Sequence, residues 1–202
     1  LGPTRNAVGY ALRTYLRYLS QHISADPQLA ALRPALAAYT AEICSLVPPT
    51  NEDATPGIMP NIIPARITNY FGFTGSNLTV DTGFGSGLAA TGLAIERIRD
   101  GGWDVGLVLG VNGNSTPELR GLLGQTLGGA VPAEGAVLLV LTRRSIATRE
   151  QLPVLAELDV CRDPAEHPVP APPAVLAGRH HLGAQGTLEL VAALDRTQTS
   201  VV

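Results

Sequence analysis

Apolar residues recur at helical spacing through the first quarter of the chain. Val8, Ala11, Leu12, Tyr15, Leu16, Leu19 and Ile23 share one face of a helix over residues 6–24, with Arg13 and Arg17 opposite. Asp26-Pro27 predicts an N-cap followed by proline at the first helical position. Leu29, Leu32, Leu36, Ile43 and Leu46 carry the stripe on to about Val47, and Pro34 within it predicts a kink or a restart. Residues 48–61, PPTNEDATPGIMPN, read as a proline-rich loop, and residues 62–69 as a short helix.

The pattern then changes. Residues 77–81, NLTVD, read as a strand entering the tight turn TGFGS, and residues 88–95 as a helix leaving it, closed by Gly101-Gly102. Asp104–Val111 and residues 136–141 are continuous apolar runs, which predict two strands buried on both faces. Val154–Val160 alternates and predicts a half-exposed strand. Residues 112–133 are Gly-rich, with a short helix near Glu118–Leu123. Helices between buried strands predict a layered α/β fold. Four segments follow: helices over 1–50, an α/β core over 51–160, a Pro-rich linker over 161–177, and a final helix and tail over 178–202.

Composition narrows the function classes. A chain of 202 residues, 45% hydrophobic, can bury a core, and a net charge of −3 argues against a nucleic-acid partner or an anionic membrane surface. No apolar run is long enough to span a bilayer, and the expected setting is cytoplasmic. All 14 basic residues are Arg, so neither lysine Schiff-base chemistry nor a P-loop lysine is available. Cys44 and Cys161 are expected as reduced, buried packing residues. No metal site is expected.

The turn VDTGFGSG, residues 80–87, carries the chemical question. A turn that opens a helix presents free N–H groups and the positive end of the helix dipole, where a thiolate or oxyanion is stabilised. Gly83 and Gly85 permit a sharp bend around residue 84. Chemistry there needs Cys, Ser or Asp, and Phe84 offers none. A dinucleotide fingerprint beginning at Gly83-Phe84-Gly85 requires glycine at position 88, which is Leu88, and no cofactor is expected.

Residues 59–113 as a block resemble the nucleophile region of β-ketoacyl synthases, the condensing enzymes of fatty-acid and polyketide assembly. The resemblance rests on Asn61, Arg66, Ile67, Gly75, Val80, Asp81, Thr82, Ser86, Leu88, Gly110, Val111 and Asn112, with Glu134-Gly135-Ala136 and Val140-Leu141 similar to a later strand. PGIMPN is most similar to the branch that makes polyunsaturated fatty acids and enediynes. The family's VDTACSSSL places its nucleophilic Cys at Phe84. His180-His181-Leu182-Gly183-Ala184-Gln185-Gly186 resembles the family's GHxxGAAG, with His180 at the histidine position, while the HGTGT motif is absent.

The resemblance implies a thiolase-like α/β fold, reduced to roughly the N-terminal half-domain with extra N-terminal helices. It implies a non-catalytic ketosynthase-like module of a polyketide or fatty-acid pathway. Such a module would serve as a scaffold, as half of a homodimer, or as a chain-length-factor-like partner of an active synthase. An acyl carrier protein or acyltransferase would be a further partner. By resemblance, residues 104–111 pair across a two-fold axis. The competing implication is a cysteine-independent acyl-thioester decarboxylase or acyltransferase using His180. Candidate substrate-site residues are Gly83, Phe84, Gly85, Ser86 and His180. Phe84 is read as a plug in the acyl tunnel, with a core aromatic as the alternative. Ser86 is read as a cap rather than a nucleophile. Glu134 is read as a structural acceptor of backbone N–H bonds, and His22, His167 and His181 as exposed.

Overall fold

The computed structural model describes residues 3–47, 49, 51–52, 54–113, 117–123, 126–160 and 178–198. The predicted linker over 161–177, with Cys161 and His167, lies outside the described residues. The chain divides into two compact units, Leu1–Thr79 and Val80–Val202.

The first unit is helical. Helix α1 (Pro3–Ala25) packs against α2 (Arg33–Leu46) and the short α3 (Ala54–Ile58). Its buried positions Gly9, Leu16 and Ile23 are spaced two helical turns apart. Gly9 is where Val47 reaches α1: an added Cβ would lie 2.8 Å from Val47 Cγ2. The Arg13 guanidinium donates to the Val47 carbonyl. Asp26 caps as expected, accepting from the Gln28 N–H at 2.8 Å. What it opens is a 3-10 turn over Pro27–Leu32, and α2 begins afresh with Pro34 in its first turn, so the proline restarts the helix. There its missing N–H costs nothing. Helix α4 (Ile62–Phe71) ends at Gly72 with φ 66°, and the Phe73 N–H returns to the Thr68 carbonyl at 2.8 Å.

The second unit holds the sheet. Helix α5 (Ser86–Arg99) buries Gly87, Thr91, Ala94 and Ile98, a stripe of alternating four- and three-residue steps. It ends at Asp100 and at Gly101, where φ is 75°. Strand β1 (Val105–Asn112) pairs antiparallel with β3 (Gly135–Thr142), from Val105↔Thr142 to Asn112↔Gly135. Between them come α6 (Pro117–Leu123) and β2 (Val131–Pro132). After α7 (Arg144–Arg149), β4 (Arg179–His180) pairs parallel with β2, and α8 (Gln185–Gln198) packs on α5, β1 and β3. The core is Ala94, Val108 and Leu139, flanked by Ala90, Trp103, Val137, Leu141 and Leu190.

Several expectations are corrected. β1 and β3 are not buried on both faces: β1 alternates strictly, with Val105, Leu107, Leu109 and Val111 exposed. The helices α5 and α8 pack on one side of the hairpin, and the side chains on the other are exposed. Among the described residues, 77–81 and 154–160 pair with no second backbone and so join no ladder. Cys44 is exposed rather than buried.

Candidate functional site

The turn around Phe84 is held by its own polar groups. Gly83 takes φ 69°, in the left-handed region where glycine carries no Cβ penalty. Its N–H donates to Asp81 Oδ1 at 3.0 Å. Ser86 Oγ donates to the Gly83 carbonyl at 2.6 Å and accepts from the Thr82 N–H at 3.0 Å. Ser86 therefore holds the turn with both its donor and its acceptor capacity. Gly83–Gly85 form a 3-10 turn that runs directly into α5.

The C-terminal segment returns to this turn. β4 is anchored by Val131 N–H to the Gly178 carbonyl and Ala133 N–H to the His180 carbonyl, each 2.9 Å. The 3-10 turn Leu182–Ala184 then lies beside the Phe84 turn, with Gly183 so placed that an added Cβ would sit 3.5 Å from Ser86 Cβ. At the root of the contact, Thr187 is wholly buried between Gly87 and Gly110. An added Cβ at Gly110 would lie 2.9 Å from Thr187 Cβ, and one at Gly87 would lie 3.0 Å from Thr187 Cγ2. Two glycines thus make the notch that seats α8.

Seated there, His180 meets Phe84 edge-on, with ring centroids 4.8 Å apart and planes at 60°. His180 Nδ1 accepts from the Leu182 N–H at 3.0 Å, which leaves the Nε2 position as the proton-bearing nitrogen of the neutral ring. Leu182 adopts φ 48°, an uncommon value for a non-glycine residue, within this turn. Partial burial pushes the His180 pKa down, with the neighbouring Glu189 opposing and His181 adding to the shift. Phe84 is 42% exposed, so it is not a core aromatic.

Of the five candidate residues, the structure brings Gly83, Phe84, Gly85, Ser86 and His180 into one locality. It corrects His181, which is buried rather than exposed; its Nδ1 has no hydrogen-bond partner among the described residues, while its backbone N–H donates to Gln185 Oε1 at 2.9 Å. Gln185 in turn donates to Glu189 Oε1 at 2.8 Å. These partners lie four residues apart on α8, a spacing visible in the sequence, but their inward orientation comes from the docking of α8. The Thr187 notch was legible only as two unremarked glycines. His22 is exposed and packs edge-on against Tyr18. Glu134 is exposed, just before β3. Among the described residues, no cluster of His, Cys, Asp and Glu fits a metal ion, and no helix is long and apolar enough to cross a membrane.

Residue 84 carries no nucleophile, and the Ser86 hydroxyl that begins α5 is engaged in holding the turn. A benzyl ring has neither a lone pair to attack a thioester nor a proton to give, while the imidazole beside it can still donate one hydrogen bond from Nε2.

The β-ketoacyl synthase N-terminal domain matches residues 37–127, and over that stretch the chain is similar to the ketosynthase family. The α/β, thiolase-like class expected from the sequence holds for this N-terminal-domain portion. Erythronolide synthase EryA3 of Saccharopolyspora erythraea is 36% identical over 117 residues, covering 50% of this chain and 4% of that one. Polyketide synthase GfsA of Streptomyces halstedii is 34% identical over 115 residues, covering 50% and 2%. Mycoketide-CoA synthase of Mycobacterium tuberculosis is 32% identical over 115 residues, covering 50% and 3%. Among solved structures, the ketosynthase domain OzmH KS7 of Streptomyces albus JA3453 is 31% identical with a TM-score of 0.43, covering 52% of this chain and 22% of that one. The chain thus spans a small fraction of the length of each of these relatives.

Proposed function

We propose that this chain is a non-condensing ketosynthase-like module of a polyketide or fatty-acid pathway. It acts as a scaffold or a chain-length-factor-like partner subunit, alone as a homodimer or together with an active synthase. An acyl carrier protein or acyltransferase is the natural neighbour in such an assembly. What supports this reading is the Phe84 ring set against His180, in the turn where the resemblance puts the family's nucleophilic Cys. Condensation needs a thiolate to hold the acyl group and donors to stabilise the oxyanion. The first is missing here, and the loss of a single oxyanion donor typically costs about 10²–10³ in rate.

A second reading draws on His180. It is present, neutral at ordinary pH, and oriented by the Leu182 N–H. A cysteine-independent decarboxylase or acyltransferase would use its Nε2 proton on a thioester carbonyl.

One experiment separates the two. Acyl loading and malonyl decarboxylation are measured on an acyl carrier thioester, with wild type, Phe84→Cys and His180→Ala. The partner reading expects no loading and no turnover by wild type. Wild-type turnover that His180→Ala abolishes overturns it in favour of the enzyme.

A further inference from the structure

We propose that Gln185 is a positioning residue: its side-chain amide ties the backbone beside His180 to the Glu189 carboxylate, and so holds a negative charge close to the His180 imidazole. The proposal deepens the reading in which His180 acts on a thioester and takes its functional meaning from it, but its geometry comes from α8.

Gln185 opens α8, and Glu189 follows four residues later on the same helical face. Gln185 is 9% exposed, and Glu189 is half-buried. The Gln185 Oε1 accepts from the His181 N–H at 2.9 Å, and its Nε2 donates to Glu189 Oε1 at 2.8 Å. The two bonds fix each other's sense. A backbone N–H can meet only the amide oxygen, which leaves the nitrogen facing a carboxylate that can only accept. Burying an amide costs free energy unless its polar atoms are matched, and here the oxygen and the nitrogen each have a partner.

The second bond is what a turn-holding role does not need. Any acceptor of the right length at position 185 would satisfy the His181 N–H. Holding Glu189 as well requires a side chain that accepts at one atom and donates at another, with the reach of glutamine. Untied, a half-buried glutamate has several rotamers open to it and would turn toward water.

His180 gives that bond its purpose. Its ring is fixed by the same turn, with Nδ1 accepting from the Leu182 N–H at 3.0 Å. Partial burial disfavours the imidazolium; Glu189, from α8, opposes this, and His181, from the same turn, adds to it. The other elements against His180, β2 and the Gly83–Gly85 turn, carry no titratable side chain. A carboxylate kept in place therefore makes proton uptake by His180 easier than burial alone would leave it.

The test is an NMR titration of the histidine rings in the full chain, with the His180 signal assigned by its loss in His180→Asn. Glu189→Gln removes the charge and keeps an acceptor. Gln185→Met keeps the length and removes both bonds. The His180 midpoint is expected to move to lower pH in Glu189→Gln. Gln185→Met is expected to reproduce roughly half or more of that shift, and to add little to it in the double variant. Far-UV circular dichroism checks the fold of each variant. If Gln185→Met does not fold, Gln185→Ala, which suits a helix, takes its place in the same cycle. A midpoint unmoved by Glu189→Gln overturns the proposal, as does one unmoved by the Gln185 variant. A Gln185 shift of the same size with and without the Glu189 charge also overturns it and leaves Gln185 a role in the turn alone. The titration reads the proton on His180 whether or not a thioester is turned over, so this proposal and the enzyme reading fail separately.

Discussion

The ring of Phe84 rests edge-on against the imidazole of His180, at 4.8 Å between centroids. The two residues are far apart in sequence and meet because α8 is seated in the notch of Gly87 and Gly110. The turn still has the form of a nucleophile turn, with a glycine at positive φ, a serine tie and a helix start. The aromatic contact lies at the sharp point of that turn.

Restoring the thiol should restore loading. Phe84→Cys places a sulfur at the start of a 14-residue helix, where the dipole and free N–H groups favour the thiolate. Incubation with an acyl carrier thioester is expected to add one acyl mass at residue 84, seen by intact mass and peptide mapping. No adduct at residue 84 in a folded variant would mean that the turn no longer admits an acyl group.

The Gly110 contact should be intolerant of a methyl group. Gly110→Ala drives a Cβ into Thr187, and overpacking of this kind typically costs about 1–3 kcal/mol. Adding Thr187→Ala removes the hydroxyl and methyl that meet it and should recover part of the loss. Denaturant unfolding of the two singles and the double measures the coupling; additive effects would mean that the two sites do not touch.

His180 should make stability depend on pH. Its folded pKa lies below the ordinary value of 6.5, so the unfolded chain takes up its proton first as pH falls. The unfolded state then binds more protons, and stability declines from about pH 6.5 downward until the folded pKa is passed. His180→Asn is expected to flatten this part of the melting-temperature profile. A profile unchanged by the substitution would place the titration elsewhere.

The helix cap at Asp26 should be separable from all of this. Asp26→Ala removes the acceptor for the Gln28 N–H, a loss that typically costs about 0.5–2 kcal/mol. Unfolding followed by circular dichroism should report it, while any acyl loading of Phe84→Cys stays the same.

Cys44 should react in the folded protein. It is exposed on α2, so a thiol reagent is expected to label it without denaturant, and Cys44→Ser should remove that labelled peptide. Protection of Cys44 in the native chain would contradict its placement.

Local signals in the sequence determined a good deal. The stripe of α1, the Asp26 cap, the restart at Pro34, the Gly72 and Gly101 helix ends and the turn at Phe84 are all written within a few residues, because caps, turns and helical faces depend on near neighbours. The resemblance to the ketosynthase family lay in the same short stretches. What needed the tertiary structure were the contacts between distant segments. Whether residues 77–81 and 154–160 join a sheet depends on a second backbone beside them, and an apolar run cannot report how many of its faces will be covered. The burial of His181 and the meeting of His180 with Phe84 were likewise settled by the seating of Thr187 between two glycines, a fit of shapes that no local pattern encodes.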